Sequence, residues 1–349
     1  MKVTKIPGFG NYGIFIDDID FEHLSPDEWM EIGKLHAKNL VTIIRKANVA
    51  PKDISYWTDQ WGPRRHSSLM HISKHYPDLK IVKIVELGLR GDDAISPEHQ
   101  TIIRERFKTK GPGGSQRVTD KKKKNGETTG MFPDGELFWH SNEASNLIFG
   151  PGVALLGQEN MIGSCTGFLQ TADYYENISE SFRSELDDMI IIHKWQEGKI
   201  HEHIHKDQEE LMRLNMAPTN ESRIPMVIKS PGGIIGLHYS VNTVWGVEGM
   251  SKQESDNLFE KINKQLKTDK YIYDHWYENN NDWLFFDNSI VNHRRLGTVK
   301  NRLAYRIQQG YENIEIENYN PYFQKDFADE YHRKIDELRE FTRDHLHED

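Results

Sequence analysis

Two points in this chain combine residues that do metal and acid-binding chemistry. In Leu137-Phe138-Trp139-His140-Ser141-Asn142-Glu143 an apolar, aromatic run ends on a histidine with polar residues directly behind it. A rigid strand that delivers one imidazole, followed by a turn able to bring a second ligand to the same face, is a common way to build a metal site. Far downstream, Trp283-Leu284-Phe285-Phe286-Asp287-Asn288-Ser289-Ile290-Val291-Asn292-His293 reads the same way, as a strand delivering His293. Next, Asn301-Arg302-Leu303-Ala304-Tyr305-Arg306-Ile307 alternates in polarity and reads as a further strand. Residues an even number apart on a strand share a face, so Arg302 and Arg306 point the same way. Two arginines on one face suit a dianion, because each can grip a carboxylate with two hydrogen bonds.

These motifs resemble the taurine dioxygenase family of Fe(II)/2-oxoglutarate-dependent oxygenases, which also includes 2,4-dichlorophenoxyacetate dioxygenase. The likeness runs from about Tyr12 to Gln309. It rests on Trp139-His140, on His293 in its setting behind Asp287-Asn288, and on the arginines that follow. The resemblance implies that His140 and His293 ligate iron and that Arg302 holds the distal carboxylate of 2-oxoglutarate. Thr166, in Gly163-Ser164-Cys165-Thr166-Gly167-Phe168, would supply a hydroxyl to the same cosubstrate, and Arg306 would sit beside the substrate or assist the cosubstrate. It further implies a double-stranded β-helix: a jelly roll of mostly antiparallel strands flanked by helices, in one domain spanning 1–349, α+β or mainly β in class. The expected reaction consumes O2 and 2-oxoglutarate, releases succinate and CO2, and usually hydroxylates a small molecule. Arg306, Arg294 and Arg295 suggest an acidic or amino-acid-like substrate, although any of the three can instead form ion pairs.

One position departs from the family pattern. Where the carboxylate of a two-histidine, one-carboxylate triad is expected, this chain has Asn142, followed by Glu143. A neutral amide oxygen is a poor ligand for Fe(II). Three readings are open: Glu143 takes the position through one extra residue in the turn, Asn142 coordinates weakly, or the position stays open. The alternatives to hydroxylation are then a halogenase-like or otherwise altered oxidant, or a non-catalytic protein that binds an organic acid.

The elements that must position these groups are legible in part. Ser25, Pro26 and Glu28 form a capping box ahead of a helix with Trp29, Ile32 and Leu35 inward, and Leu40 to Arg45 reads as a buried strand. A helix through Tyr56 to Gly62 follows, stopped by the glycine. Strands are expected at 151–157, 167–172 and 234–240, a helix capped by Ser179, and a second capping-box helix from Ser251 carrying Leu258, Ile262 and Leu266. His238 and Tyr239 either line the substrate pocket or pack beside the barrel.

Three stretches read as peripheral. Residues 108–130, with Gly111-Pro112-Gly113-Gly114 and Lys121 to Lys124, read as a mobile loop at the site's mouth; they carry no phosphate-binding motif. Residues 193–230 read as a variable insertion, whose alternating His201, His203 and His205 fit a polar excursion better than a metal clamp. A helix at 324–347 carries an apolar stripe, from Phe327 to Phe341, suited to core docking or to a contact between two copies of the chain. The 349 residues carry a net charge of −10, which argues against a nucleic-acid partner. A single cysteine excludes an internal disulfide framework and fits a reducing cytoplasm. With no signal peptide and no long apolar span, neither export by that route nor a membrane is expected.

Overall fold

The computed structural model describes residues 1–62, 111–112, 115–126, 129–130, 135–144, 150–194, 221–297 and 299–316. In chain order these form β1 (Lys2–Lys5), β2 (Ile14–Asp17), α1 (Pro26–Ala37), β3 (Val41–Ile44), α2 (Ile54–Trp61), β4 (Gln116–Thr119), β5 (Leu137–His140), β6 (Gly152–Glu159) and β7 (Cys165–Gln170). Then follow α3 (Ala172–Asn177), α4 (Glu180–Asp187), β8 (Ile190–Lys194), β9 (Glu221–Pro225), β10 (Val227–Lys229), β11 (Ile235–Leu237), β12 (Val244–Val247) and α5 (Lys252–Leu266). The last strands are β13 (Ile272–Trp276), β14 (Trp283–Asp287), β15 (Val291–Leu296) and β16 (Leu303–Gln309).

A seven-stranded sheet in the order β1-β2-β3-β14-β6-β16-β4 packs against a four-stranded sheet in the order β13-β7-β15-β5. Every pairing is antiparallel except β2 with β3. Strand alternation creates the layers. On β14, Trp283 and Phe285 turn outward to α1 and α2, joining Trp29, Ile32, Trp57 and Trp61. Leu284 and Phe286 turn inward and meet Phe168 of β7 and Val291 of β15. Phe168 and Phe286 lie 5.3 Å apart between ring centroids, so the two sheets share one apolar interior. The outer face of the smaller sheet is covered in turn: Trp139 and Leu169 pack with Phe182 and Leu186 of α4 and with Leu258, Phe259 and Ile262 of α5. Burying side chains of this size stabilises the sandwich by roughly 1.5–3 kcal/mol each.

The expected helix caps form as read. Ser25 and Glu28 close a capping box on α1, Ser251 and Glu254 close another on α5, and Ser179 caps α4. Gly62 ends α2. Two expectations change. The stretch read as one strand delivering His293 is two strands in different sheets, because Asp287 accepts hydrogen bonds from the backbone N–H of Ser289 (2.8 Å) and of Ile290 (3.2 Å) and turns the chain. In the stretch read as a strand at 234–240, β11 stops at Leu237, since Thr171, Ser289 and Asn292 side and main chains take over its polar groups. Among the segments read as peripheral, part of 108–130 is ordered as β4, the edge of the larger sheet. The histidines at 201–205 and the 324–347 helix lie outside the described residues. No helix among the described residues is long and apolar enough to cross a membrane.

Candidate metal centre

Strands β5 and β15 pair so that His140 and His293 stand directly opposite one another, their ring centroids 4.0 Å apart. His140 is buried and His293 half-buried, both on the inner face, where Phe286 packs 4.7 Å from the His293 ring. The Nδ1 of His140 lies 2.7 Å from the Phe138 carbonyl oxygen. A carbonyl only accepts, so Nδ1 carries the proton and Nε2 keeps its lone pair. Burial lowers the His140 pKa to about 4, and the charge of Arg306 pushes in the same direction. His293 is driven well below its ordinary value by burial first, then by the neighbouring His140 and Arg306. Two neutral imidazoles therefore face each other at neutral pH, and the Nδ1 of His293 has no hydrogen-bond partner. An orphaned buried nitrogen costs about 1–3 kcal/mol, a cost that a metal or other partner would offset.

The turn after His140 is clamped from the other sheet crossing. Asn288, the residue after the turn-forming Asp287, accepts from the Asn142 N–H (2.8 Å) and donates to the carbonyl oxygens of Asn142 (2.9 Å) and Gly150 (3.0 Å). The Asp-Asn pair thus has a mechanical reading: the aspartate bends β14 into β15, and the asparagine fixes the loop that carries the third position of the site. The sequence marked Asp287-Asn288 as the setting of His293 but gave no sign that Asn288 holds the Asn142 loop.

At that third position the chain offers an amide. Asn142 is 6% exposed, and its Oδ1 accepts from Arg306 Nη1 at 3.1 Å. The Arg306 guanidinium also donates to Gln116 Oε1 (2.9 Å) and Gln308 Oε1 (3.1 Å). Each of these acceptors is a neutral amide. Burial lowers the Arg306 pKa, and the charge of Glu143 opposes that shift. Glu143 itself adopts a left-handed backbone, φ 61°, and its Oε2 accepts from Gln308 Nε2 at 3.5 Å. Among the described residues, the one group of three His, Cys, Asp or Glu side chains close enough to share an ion is the exposed Asp20, Glu22 and His23. Glu143 does not reach that spacing with the histidine pair. Among the described residues the donor set therefore suits a metal at two corners, through His140 and His293, with no carboxylate joining them as a third ligand.

Arg302 is buried just ahead of β16, and the register of β16 on β6 shifts between Leu303 and Ala304, so strand parity does not carry over from Arg302 to Arg306. Leu303, Tyr305 and Ile307 pack outward under α1 and α2, while Ala304 joins the inner cluster. Thr166, on the inner face of β7, has its Oγ1 3.2 Å from the hydroxyl of Tyr277. Burial raises the Tyr277 pKa, and the Thr166 hydrogen bond and the Arg302 charge pull it back down. Thr166 and Tyr277 thus form a second polar pair in the same interior, on which the Arg302 charge acts. Sequence reasoning missed Tyr277, whose only signal was a tyrosine just past a strand end. It also missed Gln116, hidden beside a lysine run. His238 is fully buried, with Nδ1 donating to the Ser289 carbonyl (2.7 Å) and its ring 5.1 Å from that of His193. It stands as a packed residue on the flank of the site. The remaining candidate anion-binding arginines are otherwise engaged: Arg294 pairs with Asp274 at 2.6 Å, and Arg295 donates to the Gly135 carbonyl oxygen.

Comparison with solved structures gives several matches of similar strength. A taurine dioxygenase from Burkholderia xenovorans matches with a TM-score of 0.58 and 15% identity, covering 88% of each chain. AAD-2 in complex with Mn(II) and N-oxalylglycine has the same score and identity, covering 88% of this chain and 96% of its own. A putative α-ketoglutarate-dependent 2,4-D dioxygenase from Burkholderia xenovorans matches at 0.53 and 13%, covering 85% and 93%. These likenesses establish a shared fold. A comparison with curated protein sequences gives no match. The sequence profile described as taurine catabolism dioxygenase TauD, TfdA family matches residues 2–308, and the chain belongs to that family.

Proposed function

We propose that the chain is a cytoplasmic Fe(II)/2-oxoglutarate-dependent oxygenase acting on a small molecule, with the double-stranded β-helix of its family as scaffold. The observation that carries this reading is the His140–His293 pair: two neutral imidazoles held opposite each other on paired strands, one with its proton committed to a backbone carbonyl. They would hold the iron, which in this chemistry couples O2 and the decarboxylation of 2-oxoglutarate to succinate and CO2 with oxidation of a substrate C–H bond.

The protein's own part is positioning. Arg302, with Thr166 and Tyr277, supplies a guanidinium and two hydroxyls to the distal carboxylate of 2-oxoglutarate. The apolar interior around Phe168 and Phe286 keeps water away from the histidine pair. Arg306 stands between Asn142, Gln116 and Gln308, its charge acting on both histidines, and of the three arginines read as substrate contacts it carries the case for an acidic substrate. Asn142 supports a second reading, in which the altered corner changes the outcome of oxidation, as in a halogenase, or leaves an organic-acid binder.

Anaerobic titration of metal-stripped protein with Fe(II) and 2-oxoglutarate tests the proposal. An absorbance band from the chelate, lost in His293→Ala, is expected, together with succinate formation on admitting O2. A protein that folds and binds 2-oxoglutarate yet gives neither band nor succinate would be the binder, and halide-dependent products would identify the altered oxidant.

A further inference from the structure

The amide of Asn142 has one end committed and one end idle. A guanidinium only donates, so the atom facing Arg306 Nη1 must be the oxygen, and the orientation of the amide is fixed without reference to any ligand. That leaves Nδ2, with two N–H donors, buried and without an acceptor in a residue that is 6% exposed. Both backbone groups of Asn142 are held by Asn288 and its Oδ1 by Arg306, so turning the amide to relieve this would give up the Arg306 hydrogen bond. Beside it stands a guanidinium whose three hydrogen-bond acceptors are all neutral amides. The carboxylate in this group, Glu143, accepts from Gln308 and its charge acts on Arg306, yet the Asn142 Nδ2 is left without an acceptor. A buried cluster that is rich in donors and poor in acceptors is incomplete without an anion.

We infer that Asn142 is a seat for an anion and not a metal ligand: its Nδ2–H donors, backed by Arg306, hold a compact monoanion that supplies the negative ligand missing at the third corner of the His140–His293 site. The inference rests on the proposed metal reading. The shared chemistry is a single negative charge on a small acceptor, from a free anion such as halide or formate or from the carboxylate of a substrate. Asn142 differs from an aspartate by one heavy atom, so the chain exchanges a built-in charge for two donors that recruit one.

The test uses Co(II) as a spectroscopic stand-in for Fe(II), bound to the full chain with 2-oxoglutarate in a buffer free of halide and small carboxylates. Bromide, azide, formate and acetate are then added separately, and the visible absorption and the Co(II) dissociation constant are read. The expected result is a saturable spectral change and a Co(II) affinity raised by about fivefold or more, with metal raising anion affinity by the same factor. Asn142→Asp should bind Co(II) without responding to anions, and Asn142→Leu should bind it weakly without responding. Response to acetate but not bromide would assign the seat to a substrate carboxylate; response to bromide and azide would assign it to a free anion. Tight Co(II) binding to the wild type that no anion alters overturns the inference while leaving the metal reading intact. Failure of the wild type to bind Co(II) under any condition, indistinguishable from His293→Ala, overturns both.

Discussion

Truncating Asn288 is the sharpest single perturbation of the site, because its side chain is 0% exposed and three main-chain groups depend on it. In Asn288→Ala the N–H of Asn142 and the carbonyls of Asn142 and Gly150 lose their partners at 2.8, 2.9 and 3.0 Å. A stranded buried polar group costs about 1–3 kcal/mol, with carbonyls toward the low end since each has a second lone pair. The sum is about 3–5 kcal/mol. At roughly 2 °C per kcal/mol for a chain of this size, the melting temperature should fall by about 6–10 °C. Asn292 gives an internal comparison, since it ties β15 to the neighbouring segment with two bonds, from Val241 N–H (3.0 Å) and to the Tyr239 carbonyl (2.8 Å). Asn292→Ala should cost less, about 2–3 kcal/mol. Thermal melts of both variants give the ranking, and Co(II) titration gives the site readout, in which Asn288→Ala should weaken binding more than Asn292→Ala does. A loss under about 1 kcal/mol at Asn288, the reverse ranking, or unchanged metal affinity in a destabilised Asn288→Ala would refute the clamp.

Other perturbations test the pieces around it. His36 is buried between Thr42 (3.2 Å) and the Tyr311 hydroxyl (2.9 Å), and burial lowers its pKa to about 3. Its stability contribution is therefore present above about pH 6.5 and lost as pH falls toward 3, on the order of 5 kcal/mol, and His36→Gln should move the acid midpoint of unfolding to lower pH. Thr166→Val removes the hydroxyl facing Tyr277 and should raise the dissociation constant for 2-oxoglutarate by roughly tenfold with little change in melting temperature, as measured by calorimetric titration. Phe286→Ala empties the contact between Phe168 and His293 and should cost about 3–5 kcal/mol in denaturant unfolding; a cost near zero would mean the two sheets do not pack through this residue. At Gly10, φ +64°, an added Cβ would come within 1.8 Å of Asp173 Oδ2, the carboxylate that also binds the Asn11 N–H. Gly10→Ala should lower the melting temperature, and an unchanged one would show that this N-terminal strap is not held as described.

The sequence alone determined the local pieces. Caps at Ser25, Ser179 and Ser251 were readable because a side-chain cap closes within four residues, and strand parity led to the expectation that Arg302 and Arg306 share a face. The two histidines stood out because each ends an apolar run, and the resemblance to the family followed from them. Tertiary structure decided what those pieces do together. That His140 and His293 oppose each other is a matter of register between strands far apart in the chain, which no local pattern encodes. That Asp287 turns one apparent strand into two, and that Asn288 reaches across to hold Asn142, depends on which sheet each strand joins. Arg306 could have been a surface cation by composition. Only its hydrogen bonds to Asn142, Gln116 and Gln308, which hold it half-buried in the interior, make it a charge of the site. Hydrogen-bond partners drawn from four separate stretches are set by packing, where desolvation forces each polar group to find a neighbour, and that requirement is not written at any one position.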